Sequence, residues 1–395
     1  MSNVMDYLEW RGDLTFNDSS VNEVDNLIFC LLSYVDLDGI VPNNPSKGKV
    51  SLRQAAMEYF FTHVDQKERA LGFMIPDDIL VLFRRMACTK RYGDLQLTGY
   101  INEISEERKM QFSALTIYLP KEQMFVAFRG TDDTIVGWHE DFNMSHLEEV
   151  PAQRKATEYL NGLDITPDTG LYVGGHSKGG NLAVWGAVHA TQHIQDRIVG
   201  VYSNDGPGFS EGTVQSEAYR NLSKRISILL PNDSLVGLLL EHDARYAIVK
   251  SNRKGLFQHD GLSWEVLGGH FIRVDALSSK GIHNDTVIRE RIQAMTGEER
   301  RFLIEIIFFL LESTGAKTLS ELYTHRRKVI MTMIKTFRNL PPESQKIAAF
   351  LWEKLVGGKI ESGKIEKEQN YMIKKENPTR KHGSVRISFF PLLLP

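Results

Sequence analysis

Leu171 to Ala190 reads LYVGGHSKGGNLAVWGAVHA, and its texture changes twice. A short apolar run, LYVGG, has the composition of a strand, and a helical stretch from Asn181 to Ala190 follows. Between them lies Gly175-His176-Ser177-Lys178-Gly179, a G-x-S-x-G pattern in the strand-turn-helix setting that gives the pattern chemical meaning. A sharp turn there lifts a serine hydroxyl above the sheet edge, and glycines flank it where side chains would collide with the strand or the helix. The turn also sets the backbone N–H of Lys178 at a helix start, aimed where an oxyanion would form and aided by the helix dipole. Ser177 is therefore the expected nucleophile and Lys178 an expected oxyanion donor through its backbone. A glycine-rich loop that merely closes a strand-helix unit would leave the same pattern. A phosphate loop is disfavoured because G-x-x-x-x-G-K-[ST] is absent.

Downstream, strand-like runs (IVGVYS, RISILL, YAIVK, FIRVDAL) continue the alternation with helical segments, predicting a mostly parallel sheet covered by helices. Upstream, LQLTGYI, FSALTIYL and MFVAF are short β-rich runs. The first ninety or so residues read as helical, with capping-box spacing at Ser20/Glu23 and Ser51/Gln54 and a third helix over Asp77 to Cys88. Near Thr296, which with Glu299 makes another capping box, long helical stretches return, and Phe302 to Leu311 is almost continuously apolar. The fold class is thus α/β: an α/β-hydrolase fold with a mostly parallel central sheet, a helical N-terminal segment and a C-terminal helical appendage. We divide it into a hydrolase domain over 1–285, an appendage over 286–357 and a polar, solvated, mobile tail over 358–395.

With 395 residues, 42% of them hydrophobic, the chain can fill a sizeable core and more than one ordinary one. A formal net charge of −3 gives no electrostatic reason to expect nucleic acid. The two cysteines, Cys30 and Cys88, fall in apolar helical stretches, which fits a reducing compartment better than a disulfide framework. The first residues, MSNVMDYLEWRGDL, have neither a basic nor an apolar leader region, and the longest apolar run, Ile306 to Leu311, is far too short to span a bilayer. The expectation is a cytoplasmic protein. Neither a metal nor an organic cofactor is expected, since no His/Cys cluster stands at ligand spacing.

A second strand-turn-helix pattern precedes the first: MFVAFRGTDDTIVGWHEDFNMS, Met124 to Ser145. Phe128-Arg129-Gly130-Thr131, then Trp138 and Asp141, taken with Gly175-His176-Ser177-Lys178-Gly179-Gly180, resemble the class 3, fungal-type lipases. The resemblance is closer to a bacterial lipase-like branch, the Mbeg-like family, through DYLEWRGDL, NEVDNLIFCLLSYVD, QFSALTIYL and FRGTDDTIVGWHEDF, and it spans roughly residues 5 to 275. It implies that Thr131 supplies a further oxyanion donor from its hydroxyl and backbone N–H. It also implies a lipid or acyl ester as substrate. Lys178 departs from typical lipases, which carry an apolar residue after the nucleophile; the backbone N–H survives that change. A capped turn held by Arg129, Asp132 and Asp133 would account for Thr131 without catalysis.

A serine hydroxyl needs a histidine to take its proton and an acid to orient that histidine, and this fold presents them in the order Ser, acid, His. Asp233 follows the strand Ile226 to Leu230 and is the expected acid, and Asp205 in SNDGPGF also follows a strand. Asp233 is preferred because the strand after the elbow helix normally leads into the Gly-Pro turn and the next one carries the acid. Asp233 could equally cap a turn with Asn232. His259, in the loop GLFQHDGLSW, is the expected base, as in the Mbeg-like branch, ahead of His242, His270 and His283. His176, beside the serine, is expected to support the turn. The predicted protein is a serine hydrolase of carboxylic esters with a small-molecule ester or lipid substrate. The apolar appendage offers either a lid or membrane-facing surface or simple packing. A catalytically inactive scaffold, an acyltransferase and a thioesterase all fit the same residues.

Overall fold

A computed structural model describes residues 2–63, 75–234, 236–237, 240, 246–277, 291–292 and 294–356. His242, His283 and the tail over 358–395 lie outside them. The chain divides into two compact units, one of Met1–Arg289 with Lys317–Ser320, the other of Glu290–Ala316 with Glu321–Pro395.

The first unit is built on a sheet in strand order β1 (Val50–Ser51), β2 (Gln96–Ser105), β3 (Met110–Leu119), β4 (Gln123–Phe128), β5 (Gly170–His176), β6 (Ile198–Asn204), β7 (Ile226–Pro231) and β8 (Tyr246–Val249). The β1–β4 pairings are antiparallel and those from β4 through β8 parallel. Parallel strands need covered faces, and the side chains show both faces filled. On β4, Phe125 and Ala127 join a core with the N-terminal helices α1 (Val4–Arg11), α2 (Glu23–Leu32), α3 (Leu52–Thr62) and α4 (Asp78–Cys88). The alternate residues Met124, Val126 and Phe128 join the core on the other face with α6 (Pro151–Asn161) and α7 (Lys178–His189), while α5 (Ile135–Asn143) follows the turn after β4. This is an α/β-hydrolase fold.

Three local readings change. The cap of α2 is Asn22 with Asp25 rather than Ser20 with Glu23, because Asn22 Oδ1 reaches the N–H groups of Val24 and Asp25. The helix after the elbow begins at Lys178, not Asn181, so the serine abuts the helix directly. FIRVDAL adds no regular strand to the main sheet: His270–Phe271 pairs with Val266–Leu267 in a two-stranded ribbon, and Arg273 makes one isolated antiparallel bridge to Val249 of β8. Cys30 is buried and Cys88 exposed, and both are free thiols.

In the second unit Thr296 and Glu299 form the expected capping box of a helix over Gly297–Glu312, followed by helices over Arg326–Arg338 and Pro342–Val356. Met295, Leu303 and Leu351 form a small core there. Among the described residues no helix is long and apolar enough to cross a membrane.

Candidate active site

The parallel strands end together, and the polar side chains gather at their carboxyl ends, the usual place for a site in such sheets. Ser177 extends β5 by one residue: its N–H donates to the carbonyl of Asn204 at the end of β6, 2.9 Å away. It then turns sharply, with φ 57° and ψ −134°, a backbone conformation costing on the order of 1–3 kcal/mol for a non-glycine residue. The packing that enforces it is tight. A Cβ at Gly175 would fall 2.0 Å from the carbonyl of Gly179, so only glycine lets the strand meet the helix.

The turn after β4 closes against the elbow. A Cβ on Gly130 would lie 3.0 Å from Cβ of Ser177 and 2.6 Å from the carbonyl of His176. The turn is braced by Arg129, which donates to Asp132 Oδ2 at 2.9 Å, and by Asp132 Oδ1, which accepts from the N–H of Thr134, the cap of α5. Thr131 thus stands beside the elbow, and its hydroxyl donates to Asp141 Oδ2 at 2.5 Å. Among the described residues neither the N–H of Thr131 nor that of Lys178 is bonded to an acceptor.

The side chain of Lys178 does not reach solvent. It is 1% exposed, and Nζ donates to Glu140 Oε2 at 3.0 Å and to the carbonyl of Gln111 at 2.8 Å. Burial raises the Asp141 carboxyl to about 6, against the pull of Lys178 and of the Thr131 hydroxyl.

The imidazole of His259 meets a carboxylate, and it is not the expected one. Nδ1 lies 2.7 Å from Oδ2 of Asp205, the residue directly after β6. Since a carboxylate accepts, Nδ1 carries a proton and donates it to Asp205. Asp205 is fully buried, and its Oδ1 accepts from the hydroxyl of Ser234 and the N–H of Gly237. Asp233 instead ties the loop that carries His259: its Oδ2 accepts from Gln258 Nε2 at 2.7 Å and from the N–H of Gly255 at 3.1 Å. The expected placement of Asp233 behind the ring is therefore corrected to Asp205. β6 neighbours β5, the strand that leads into Ser177, and β7 lies one strand farther out. Asp205 stands in a left-handed backbone conformation, φ 50°, which an aspartate in an Asp-Gly-Pro turn tolerates.

His176 holds the other end of the loop. Its Nε2 lies 2.7 Å from the carbonyl of His259, which can only accept, so Nε2 is protonated and Nδ1 accepts from the hydroxyl of Tyr34 at 3.1 Å. Burial, with the nearby His259, pushes His176 down to about 3 and keeps the ring neutral. The rings of His176 and His259 are 4.6 Å apart. Among the described residues no hydrogen bond joins the Ser177 hydroxyl to the His259 ring, so the chain brings Asp205 and His259 into contact and sets Ser177 beside their neighbour. His270 is exposed, with its ring near Glu23. Among the described residues no group of three His, Cys, Asp or Glu side chains is disposed to hold a metal ion.

Comparison with known proteins agrees with the motifs. A family model described as Mbeg1-like matches residues 86–309, more than half of the chain and including every side chain of the site except Tyr34. Among curated proteins none matches. A solved structure titled "Crystal structure of M37 lipase" is similar at 15% identity with a TM-score of 0.34, over 55% of this chain and 70% of that one.

Proposed function

From its place in the Mbeg1-like family, to which the chain belongs, we propose that this protein is a serine hydrolase of carboxylic esters, with Ser177 as nucleophile, His259 as base and Asp205 as the orienting acid. The observation that carries the reading is the His259–Asp205 contact at 2.7 Å, formed at the strand end next to a serine held at φ 57°. A buried carboxylate behind Nδ1 fixes the tautomer in which Nε2 is the base, and it stabilises the imidazolium that forms.

His259 Nε2 takes the Ser177 proton as the oxygen attacks the ester carbonyl, and the N–H groups of Thr131 and Lys178 hold the developing oxyanion. The protonated ring then gives its proton to the leaving alcohol. Water, activated by the same nitrogen, releases the acid from the acyl-enzyme. In ligand-free enzymes the hydrogen bond from nucleophile to base is often long and tightens with substrate, which accommodates its absence here. The Thr131 hydroxyl already donates to Asp141, so its backbone N–H is the donor left for the oxyanion. The substrate class we infer is an acyl or lipid ester.

The test is a fluorophosphonate probe, which labels a serine only when it is activated. The wild type should label at Ser177, and Ser177→Ala should lose both the label and ester turnover, by on the order of a millionfold in kcat. An unlabelled, folded wild type would instead favour a scaffold without turnover. A panel of esters from short to long acyl chains, offered with water or with alcohol acceptors, then separates esterase, lipase and acyltransferase.

A further inference from the structure

Two N–H donors stabilise an oxyanion only if their separation is set before the reaction. Here the donors belong to Thr131, in the turn after β4, and Lys178, at the start of α7. Both are held by α5, through consecutive residues. Asp141 takes the hydroxyl of Thr131, and Glu140 takes the ammonium of Lys178. Glu140 is fully buried and anchored in turn, its carboxylate accepting from the N–H of Gln111 on β3 at 3.0 Å and of Ala152 on α6 at 2.8 Å. The two arms also meet: Lys178 Nζ lies 3.8 Å from the other oxygen of Asp141, which among the described residues has no hydrogen-bond partner. Relative to an apolar side chain of similar size, a buried ion pair is a poor device for stability alone.

We propose that the Lys178–Glu140 pair is a positioning device that fixes the two oxyanion donors relative to one another, with the Lys178 charge also keeping Asp141 able to accept the Thr131 hydroxyl. It rests on Ser177 being the nucleophile. The groups facing Asp141 are Lys178 from α7, Glu140 on its own helix, Asp132 and Thr131 from the turn, and Tyr34 from beyond α2. Lys178 and Thr131 favour the carboxylate, while Glu140 and Asp132 disfavour it, Lys178 outweighing Glu140. Two substitutions therefore act on Asp141 in opposite senses. Glu140→Gln removes a negative neighbour and lowers the pH at which Asp141 ionises. Lys178→Met combined with Glu140→Gln removes the pair together and raises it.

The experiment begins with the full chain and the fluorophosphonate probe. A wild type that does not label overturns the serine reading itself, and this inference with it. With a labelling wild type, hydrolysis of p-nitrophenyl acetate is followed against pH in both variants, with circular dichroism as the check on folding. The step belonging to Asp141 is the one on the acid limb that Asp141→Asn removes. We expect the double variant to lose roughly tenfold to a hundredfold in kcat with little change in KM, because misplaced donors weaken only the transition state. Its Asp141 step should move to higher pH and that of Glu140→Gln to lower pH. A folded double variant with wild-type kcat, an acid limb with no step that Asp141→Asn removes, or two shifts of the same sign would overturn the positioning role and leave the serine reading standing. Should the double variant fail to fold, the near-isosteric Glu140→Gln carries the test alone, an unmoved Asp141 step being the overturning result.

Discussion

Asp205 and Asp233 occupy matching positions, each just after a parallel strand, and both reach the segment Gly255–His259. They do opposite things with it. Asp205 takes the side chain, at His259 Nδ1, and backs its own carboxylate with Ser234 and Gly237. Asp233 takes the loop's entry through the N–H of Gly255 and exchanges two hydrogen bonds with the neighbouring Gln258. The difference follows from sheet order. In this chain the carboxylate behind the His259 ring comes from the strand adjoining β5, and the one from a strand farther out tethers the loop. A position after a strand is thus a local property, whereas the role of the residue there is set by a neighbour relation between strands.

The sharpest way to break this comparison is to neutralise each acid in turn. Asp205→Asn keeps the shape and removes the charge that holds the His259 tautomer, so kcat should fall by about 10,000-fold, the scale of such a change in a serine triad. Steady-state hydrolysis of a short ester, with labelling by the fluorophosphonate probe, would check it. If Asp233→Asn cost more than Asp205→Asn, the two roles would have to be exchanged.

Asp233→Ala tests the tether, with a smaller effect. It leaves the N–H of Gly255 and the amide of the 2%-exposed Gln258 without this acceptor, a loss of about 1–3 kcal/mol where such groups are buried. The expected outcome is faster hydrogen exchange at the Gly255 amide, a lower Tm and a kcat/KM reduced by roughly tenfold. Unchanged exchange at Gly255 would show that the loop is held by other contacts.

What could be read in the chain beforehand divides along the same line. The elbow was legible because everything it needs lies within five residues, as were the turn at Thr131 and the strand Leu171 to Gly175 that leads into the elbow. His259 was legible as a histidine on a loop. The choice between Asp205 and Asp233 depended on which strand pairs with β5, and no local pattern holds that. The partnership of Lys178 with Glu140 was equally hidden: each residue alone reads as a solvated charge, and only the packing of α5 against β3 and α7 buries both. FIRVDAL misled in part, since its pairing is divided: Phe271 pairs with Val266 in a short ribbon, and Arg273 makes a single antiparallel bridge to Val249 of β8.

The third hold on the loop sharpens the comparison most gently, because it pairs two histidines rather than two acids. The ring of His176 sits 4.6 Å from that of His259, donates to the His259 carbonyl and is kept neutral by burial, so it fixes the loop's exit as an uncharged support. Its folded value of about 3 lies below the ordinary 6.5, so between these values the unfolded chain binds a proton that the folded one does not. Stability from this site is therefore complete above pH 6.5 and is lost as pH falls toward 3, at up to about 1.4 kcal/mol per pH unit. His176→Gln removes the titration while its amide can still donate toward the carbonyl of His259. Urea midpoints at pH 7 and pH 5 should therefore lie closer together in this variant than in the wild type, with kcat at pH 7 falling only a few-fold. Equal midpoint differences in the two proteins would mean that His176 takes up its proton in the folded state, and its reading as a neutral support of the loop would be lost.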